Sequence, residues 1–143
     1  LKRVGERMLA GADNAGLFRG TALGINTVYV DSDGDGAAID IYGKFKDTMI
    51  GASAIGELKK KAEKVGAEAG KMFMSAFNSG APVDAHAADQ LLPYMALAAE
   101  NGPSRIKVEK VTQHAKTNIW LIKQFLPVDI KVKGKIIEVK KTK

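Results

Sequence analysis

Residues 78–84, Asn78-Ser79-Gly80-Ala81-Pro82-Val83-Asp84, break the chain in two. Gly80 can take the left-handed backbone conformation that ends a helix, and Pro82 cannot continue one. Asp84 can accept hydrogen bonds from the free N–H groups of a helix that starts just after it. The stretch therefore stops one helix and starts another. It divides the 143 residues into a segment 1–80 and a segment 81–143.

In the first segment, residues 2–12 (KRVGERMLAGA) space Val4 and Met8, with Leu9 and Ala12, along one side of a helix. The glycine-rich GADNAGLFRGTALG, 11–24, reads as a loop. INTVYVDS (25–32) and AAIDIYG (37–43) read as two strands, with Ile39 and Ile41 alternating with Asp40 and Tyr42. Between them, Asp31, Asp33, Asp35 and Gly36 match the opening of an EF-hand calcium loop. The twelfth position of that loop must supply a bidentate Glu, and here it is Tyr42. The flanks are also strand-like, so a hairpin turn is the reading adopted. From 52 to 77, Ile55, Leu58, Ala62, Val65, Ala69, Met72, Phe73 and Ala76 form one stripe at helical spacing and predict the longest helix. Lys59, Lys60, Lys61 and Lys64 fall mostly off that stripe, on a solvated face. Gly66 and Gly70 would weaken an isolated helix, and they mark a place for close packing. The expected unit is strand, strand, helix.

The second segment opens with a helix, HAADQLLPYMALAAE (86–100), that ends at Asn101-Gly102-Pro103. Its apolar residues are nearly continuous from Leu91 to Ala99, which predicts cover on several sides, and Pro93 bends it or defines its first turn. RIKVEKV (105–111) reads as a strand and NIWLIKQFL (118–126) as a helix with Trp120 in the core. VDIKVKGKIIEVKK (128–141) reads as a hairpin turning at Lys133-Gly134. The order α-β-α-β-β lacks the first strand of a β-α-β-α-β-β unit.

Two polar groups interrupt this pattern. His86, Asp89 and Gln90 share one face of the first turns of the helix that opens at 84. They read either as solvated first-turn residues, with Asp89 favoured by the helix dipole, or as ligand-facing groups. His86 and Asp89 alone are too few donors to identify a metal site. The second group is TQHAKTNIW (112–120), where His114 lies between the strand ending near Val111 and a helix starting near Thr117. The positive end of a helix favours neutral imidazole, which is the nucleophilic form, and its N–H groups can hold a phosphate. Thr112, Thr117 and Asn118 add hydroxyl and amide groups. The same residues also fit a surface histidine beside an ordinary helix cap.

Composition narrows the classes without choosing one. The net charge of +6 serves solubility or an anionic partner such as nucleic acid or a nucleotide. The absence of cysteine excludes disulfides and thiolate metal sites, and fits a cytoplasmic location. No apolar run approaches the ~20 residues of a membrane-spanning helix, so no membrane partner is expected. The chain begins at Leu1 and carries no signal peptide, which reads as a piece of something longer. There is no GxxxxGK[ST], no GxGxxG after a strand and no serine elbow. Any nucleotide chemistry must take a less common route.

PVDAHAADQLLPYMALA (82–98), followed by TQHAKTNIWLIKQFLP (112–127), resembles the C-terminal signature of the RNA 3′-terminal phosphate cyclases. INTVYVDSDGDGAAIDIYG (25–43) and the 52–77 stretch are similar to that family as well, and the first twenty residues least so. The resemblance implies an α+β, cyclase-like fold. Residues 1–80 would be the C-terminal part of a small inserted α+β domain, and 81–143 the last α-β-α-β-β part of the catalytic domain. It implies ATP-dependent conversion of an RNA 3′-terminal phosphate to a 2′,3′-cyclic phosphate through a covalent histidine–AMP intermediate. By motif position the nucleophile is His114. His86, Ala87, Ala88, Asp89 and Gln90 match the ATP-binding stretch, and His86 stands where some members carry tyrosine. ATP and a divalent metal (Mg or Mn) are the implied cofactors, with no metal ligand assigned in this chain. The implied partners are RNA with a 3′-terminal phosphate, the remaining N-terminal part of the enzyme and a second copy as a homodimer. The chain alone is expected to be inactive. The family also has non-catalytic relatives in ribosome assembly or RNA processing that lack the nucleophilic histidine; His114 within T-x-H-x-x-T-N argues against that alternative.

Overall fold

The computed structural model describes residues 3–17 and 24–142. In chain order its elements are α1 (Val4–Asp13), β1 (Ala38–Lys44), β2 (Met49–Ile55), α2 (Ala62–Ser79) and α3 (Ala85–Leu97). A 3-10 turn (Ala98–Asn101) leads to β3 (Ser104–Lys107), α4 (Gln113–Phe125), β4 (Val128–Lys133) and β5 (Ile136–Lys141). They gather into two compact units, Leu1–Lys44 with Gly51–Ser75 and Phe45–Ile50 with Ala76–Lys143. No helix among the described residues is long and apolar enough to cross a membrane.

In the first unit, α1 and α2 meet backbone to backbone. A methyl group on Gly66 would overlap the Met8 carbonyl, and one on Gly11 would overlap the Glu63 carbonyl. A methyl group on Gly70 would come within 2.8 Å of the Ala12 carbonyl oxygen. The helix propensity lost at these glycines is offset by a contact that no larger residue permits. Met8, Ala62 and Val65 are buried there, with Val4, Ala37, Ile39 and Ala54 packed around them. Arg7 braces the crossing with a two-pronged bond to Glu63, at 2.6 and 2.9 Å. That hydrogen bond, aided by the guanidinium charge, draws the Glu63 carboxyl down to about 2.

Three expectations for residues 1–80 are corrected. INTVYVDS is not a strand: Ile25, Val28, Tyr29 and Val30 are all more than half exposed. A β-prone run becomes a strand only where an edge accepts its backbone groups, and β1 pairs with β2 instead. The hairpin turn accordingly lies at 45–48, where the Phe45 N–H donates to the Thr48 carbonyl at 2.8 Å. Asp31–Gly36 form an exposed bend in which the Ser32 hydroxyl donates to the Gly34 carbonyl. Finally, the helical stripe begins at Ala62 and not at 52, because 49–55 pair as β2. Ile55 and Leu58 matched the helical spacing by coincidence and are 71% and 94% exposed. The predicted loop at 18–23 lies outside the described residues.

The second unit has the expected order α-β-α-β-β. Its sheet runs β3-β5-β4, all antiparallel, with β5 in the middle. Ile106 faces Ile137 across one ladder, and Ile130 faces Val139 across the other. Alternation sends Val128, Ile130, Ile137 and Val139 inward, where they pack with Ala88, Leu92 and Ala96 of α3 and Ala115 and Ile122 of α4. Both helices thus cover one face of the sheet. Gly80, at φ +61°, ends α2, and the Asp84 carboxylate caps α3 by accepting the His86 and Ala87 N–H groups at 3.0 and 2.9 Å. Gly134, at φ +60°, turns the β4–β5 hairpin.

Here α4 starts at Gln113, earlier than the expected Thr117, because the Thr112 hydroxyl caps it by accepting the Ala115 N–H at 2.9 Å. Strand β3 is shorter than expected and stops at Lys107. Trp120 is not core: it is 63% exposed. The several-sided cover expected for α3 is also absent among the described residues, with Tyr94 and Leu97 more than half exposed. One sheet can bury only one side of each helix.

Candidate active site

Pro93 sits inside α3 and has no N–H. It therefore leaves the carbonyl four residues back, that of Asp89, without a helical donor. Asn118 of α4 fills the gap, its side-chain Nδ2 donating to the Asp89 carbonyl at 3.3 Å. The Asp89 side chain points the same way and is buried, with only 6% exposure. Both of its carboxylate oxygens lie 2.8 Å from the Thr112 hydroxyl, whose single proton they share. That hydroxyl is the same one that accepts the Ala115 N–H. A chain of hydrogen bonds thus runs from the first turn of α4 through Thr112 to a buried carboxylate on α3. Buried polar groups are tolerated when satisfied in this way.

The arrangement seats the N-terminus of α4, and His114 is the second residue of that helix. Its side chain is exposed, on the turn before Asn118 and on the same side of the helix. The leading N–H groups of an α-helix have no intrahelical partner, and a negative group placed there is favoured by the dipole. Imidazole and anion-holding donors therefore share one corner of the surface.

The other candidate residues divide between the two sides of α3. Ala88 packs in the core with the sheet, and Asp89 faces α4. His86 and Gln90 turn outward and are exposed, and Ala87 contributes its backbone N–H to the Asp84 cap. No hydrogen bond joins the side chains of His86, Gln90 or His114 to another residue among the described ones. The reading of Asp89 as a solvated first-turn residue is set aside by its burial. What reading the sequence missed is the bridge itself. Its signal was present: a proline in one motif orphans a carbonyl, and an asparagine in the other supplies the amide. Among the described residues no three His, Cys, Asp or Glu side chains converge to hold a metal ion.

The family model described as RNA 3′-terminal phosphate cyclase matches residues 3–132. The chain belongs to the RNA 3′-terminal phosphate cyclase family. A protein of that name from Nitrosospira multiformis is 39% identical over 133 residues, 92% of this chain and 37% of the relative. One from Korarchaeum cryptofilum is 40% identical over 71% of this chain and 28% of its own length. Another, from Methanosarcina mazei, is 49% identical over 59% of this chain and 23% of the relative. The chain thus spans well under half the length of the cyclase relatives it matches. Its mixed α+β architecture with small sheets agrees with a cyclase-like fold.

Proposed function

We propose that this chain is the histidine-bearing part of an ATP-dependent RNA 3′-terminal phosphate cyclase. The observation that supports it is the Asp89–Thr112–Asn118 bridge, which fixes the start of α4 and leaves the imidazole of His114 open to solvent. An unprotonated imidazole nitrogen of His114 attacks the α-phosphorus of ATP. The bond from that phosphorus to the α–β bridging oxygen breaks, pyrophosphate leaves, and the ring gives up its N–H proton as the phosphoramidate forms. An oxygen of the RNA 3′-phosphate then displaces the imidazole and takes the AMP. The neighbouring 2′-hydroxyl attacks the activated 3′-phosphorus, loses its proton and expels AMP, which closes the 2′,3′-cyclic phosphate.

In this reading Asp89 and Thr112 position the nucleophile's helix, and the free N–H groups at its start favour the phosphoryl charge. His86 and Gln90 face outward toward the nucleotide. A divalent metal, Mg or Mn, would neutralise the triphosphate, but the described residues offer it no donor set and no step is assigned to it here. Residues 1–80 are assigned to the end of an inserted domain and 81–143 to the end of the catalytic domain. The remaining N-terminal part supplies the rest of the nucleotide and RNA sites, and this chain alone is inactive.

The test is to incubate the full-length protein with α-labelled ATP and metal and to look for an acid-labile, alkali-stable adenylate. Label on the wild type and none on His114→Ala is expected. A wild type that takes no label, or a His114→Ala variant that labels equally, overturns the proposal in favour of a non-catalytic, cyclase-like RNA-binding protein.

A further inference from the structure

The face of the β3-β5-β4 sheet turned away from the helices is basic, and its charge is unevenly compensated. Alternation places Arg105 and Lys107 of β3, Lys131 and Lys133 of β4 and Lys140 of β5 on this face, with Asp129 and Glu138 among them. Neither carboxylate is in the row nearest the β4–β5 turn: Asp129 lies in the far row and Glu138 in the middle one. Glu138 is 3.9 Å from Arg105, and Asp129 is 3.7 Å from both Lys131 and Lys140. The turn end has no such partners. Lys107 and Lys133 flank Ile136 in the register, which puts them two strand spacings, about 10 Å, apart. Lys135 follows in the turn, and Lys110 lies in the connection from β3 to α4. All four lysines are exposed, and none is in an ion pair with another described residue. The one carboxylate in that connection, Glu109, is half-buried and already has a partner.

The uncompensated end is also the end that leads to His114. The Val108 N–H donates to the Lys135 carbonyl at 2.8 Å, tying the connection to the turn. From there the chain runs through 109–111 straight into the Thr112 cap of α4.

We propose that Lys107, Lys110, Lys133 and Lys135 dock the sugar–phosphate backbone of single-stranded RNA upstream of the 3′ end presented to His114. The inference rests on the cyclase reading for the identity of the polyanion. The outer face carries no aromatic side chain on which a base could stack. Recognition is therefore through phosphates: insensitive to base sequence and strongly weakened by salt.

The experiment measures binding of a fluorescein-labelled oligouridylate with a 3′-phosphate to the full-length protein, without ATP, as salt is raised. K107Q/K133Q/K135Q is compared with R105Q/K131Q/K140Q, which removes the same charge from the compensated end. The first variant is expected to weaken binding about tenfold or more, and to flatten the slope of log affinity against log salt by about 2, at ~0.7 per lost phosphate contact. The second is expected to change affinity less than about threefold, since its cations are already paired. An oligoadenylate of equal length should bind alike. Equal losses in the two variants would reduce the effect to net charge, and no loss in the first would leave the turn end without a role; either overturns the docking surface. ATP labelling of His114 in the same wild-type preparation separates the two ideas. Its absence counts against the cyclase reading, whereas labelled protein that binds RNA equally well without the three lysines sinks only the docking surface.

Discussion

Replacing Thr112 by valine keeps the shape of the side chain and removes one oxygen. That oxygen makes two kinds of contact: it accepts the Ala115 N–H at 2.9 Å and donates to the Asp89 carboxylate at 2.8 Å. Loss of the cap alone costs about 1 kcal/mol. Leaving the 6%-exposed Asp89 side chain without its donor adds about 1–3 kcal/mol. Thr112→Val should therefore destabilise by about 2–4 kcal/mol, a large share of the ~5–15 kcal/mol that holds a domain folded. Thr112→Ser retains the oxygen and should cost under about 1 kcal/mol. The double variant Thr112→Val with Asp89→Leu removes both partners together, and should be less destabilised than the sum of the single changes by about 1–2 kcal/mol. Urea unfolding of the full-length variants, followed by far-ultraviolet circular dichroism, gives these differences from the midpoints. ATP labelling of His114 in the surviving folded fraction should fall with Thr112→Val and recover with Thr112→Ser. If valine and serine are equally tolerated, or if the double variant is strictly additive, the bridge does not hold α4 and the reasoning fails.

Asn118→Ala should cost about 1–3 kcal/mol by orphaning the Asp89 carbonyl. Adding Pro93→Ala restores a backbone N–H to α3 and should recover part of that loss; a double variant no better than Asn118→Ala would refute the pairing. Gly66→Ala would stabilise an isolated helix by about 1 kcal/mol, yet here it should lower the melting temperature, because the added methyl meets the Met8 carbonyl. A rise in melting temperature would show that the α1–α2 crossing is looser than described. The Glu63 carboxyl is drawn from 4.5 to about 2 by Arg7, so the pair contributes stability above pH 4.5 that is lost as the pH falls toward 2. Glu63→Gln should flatten that acid-side decline at low salt and do less at high salt, as the groups are exposed; an unchanged profile would remove the pair from the account.

The second unit was largely legible because its signals are local. Asp84 before an apolar run, glycine between two alternating strands, and Gly80 ahead of Pro82 each act within a few residues, and all three behave as expected. The first unit was harder, because β1 had two neighbours rich in strand-forming or small residues and only tertiary pairing decided between them. Val28, Tyr29 and Val30 have strong strand preference and no pairing edge, whereas Gly51, Ala52 and Ser53 have weak preference and a partner. In the candidate site, the position of His114 near a helix start could be read from the threonines around it. The burial of Asp89 could not, since whether an i, i+3, i+4 polar face meets water or another helix depends on what packs there. Trp120 failed in the opposite sense: an apolar residue in an apolar run was taken as core, but α4 has only one side to bury.

That exposed indole has a practical consequence. Trp120 is the chain's single tryptophan, and it stands six residues along α4 from His114, about 9 Å along the helix axis. Its emission should start red, as befits an indole 63% exposed to water, and should shift or quench when something settles against α4. At 3.6 residues per turn the indole sits about 120° around α4 from the imidazole, so this built-in fluorophore reports, without a dye, on what settles against that flank of the helix and not on contact with His114 itself.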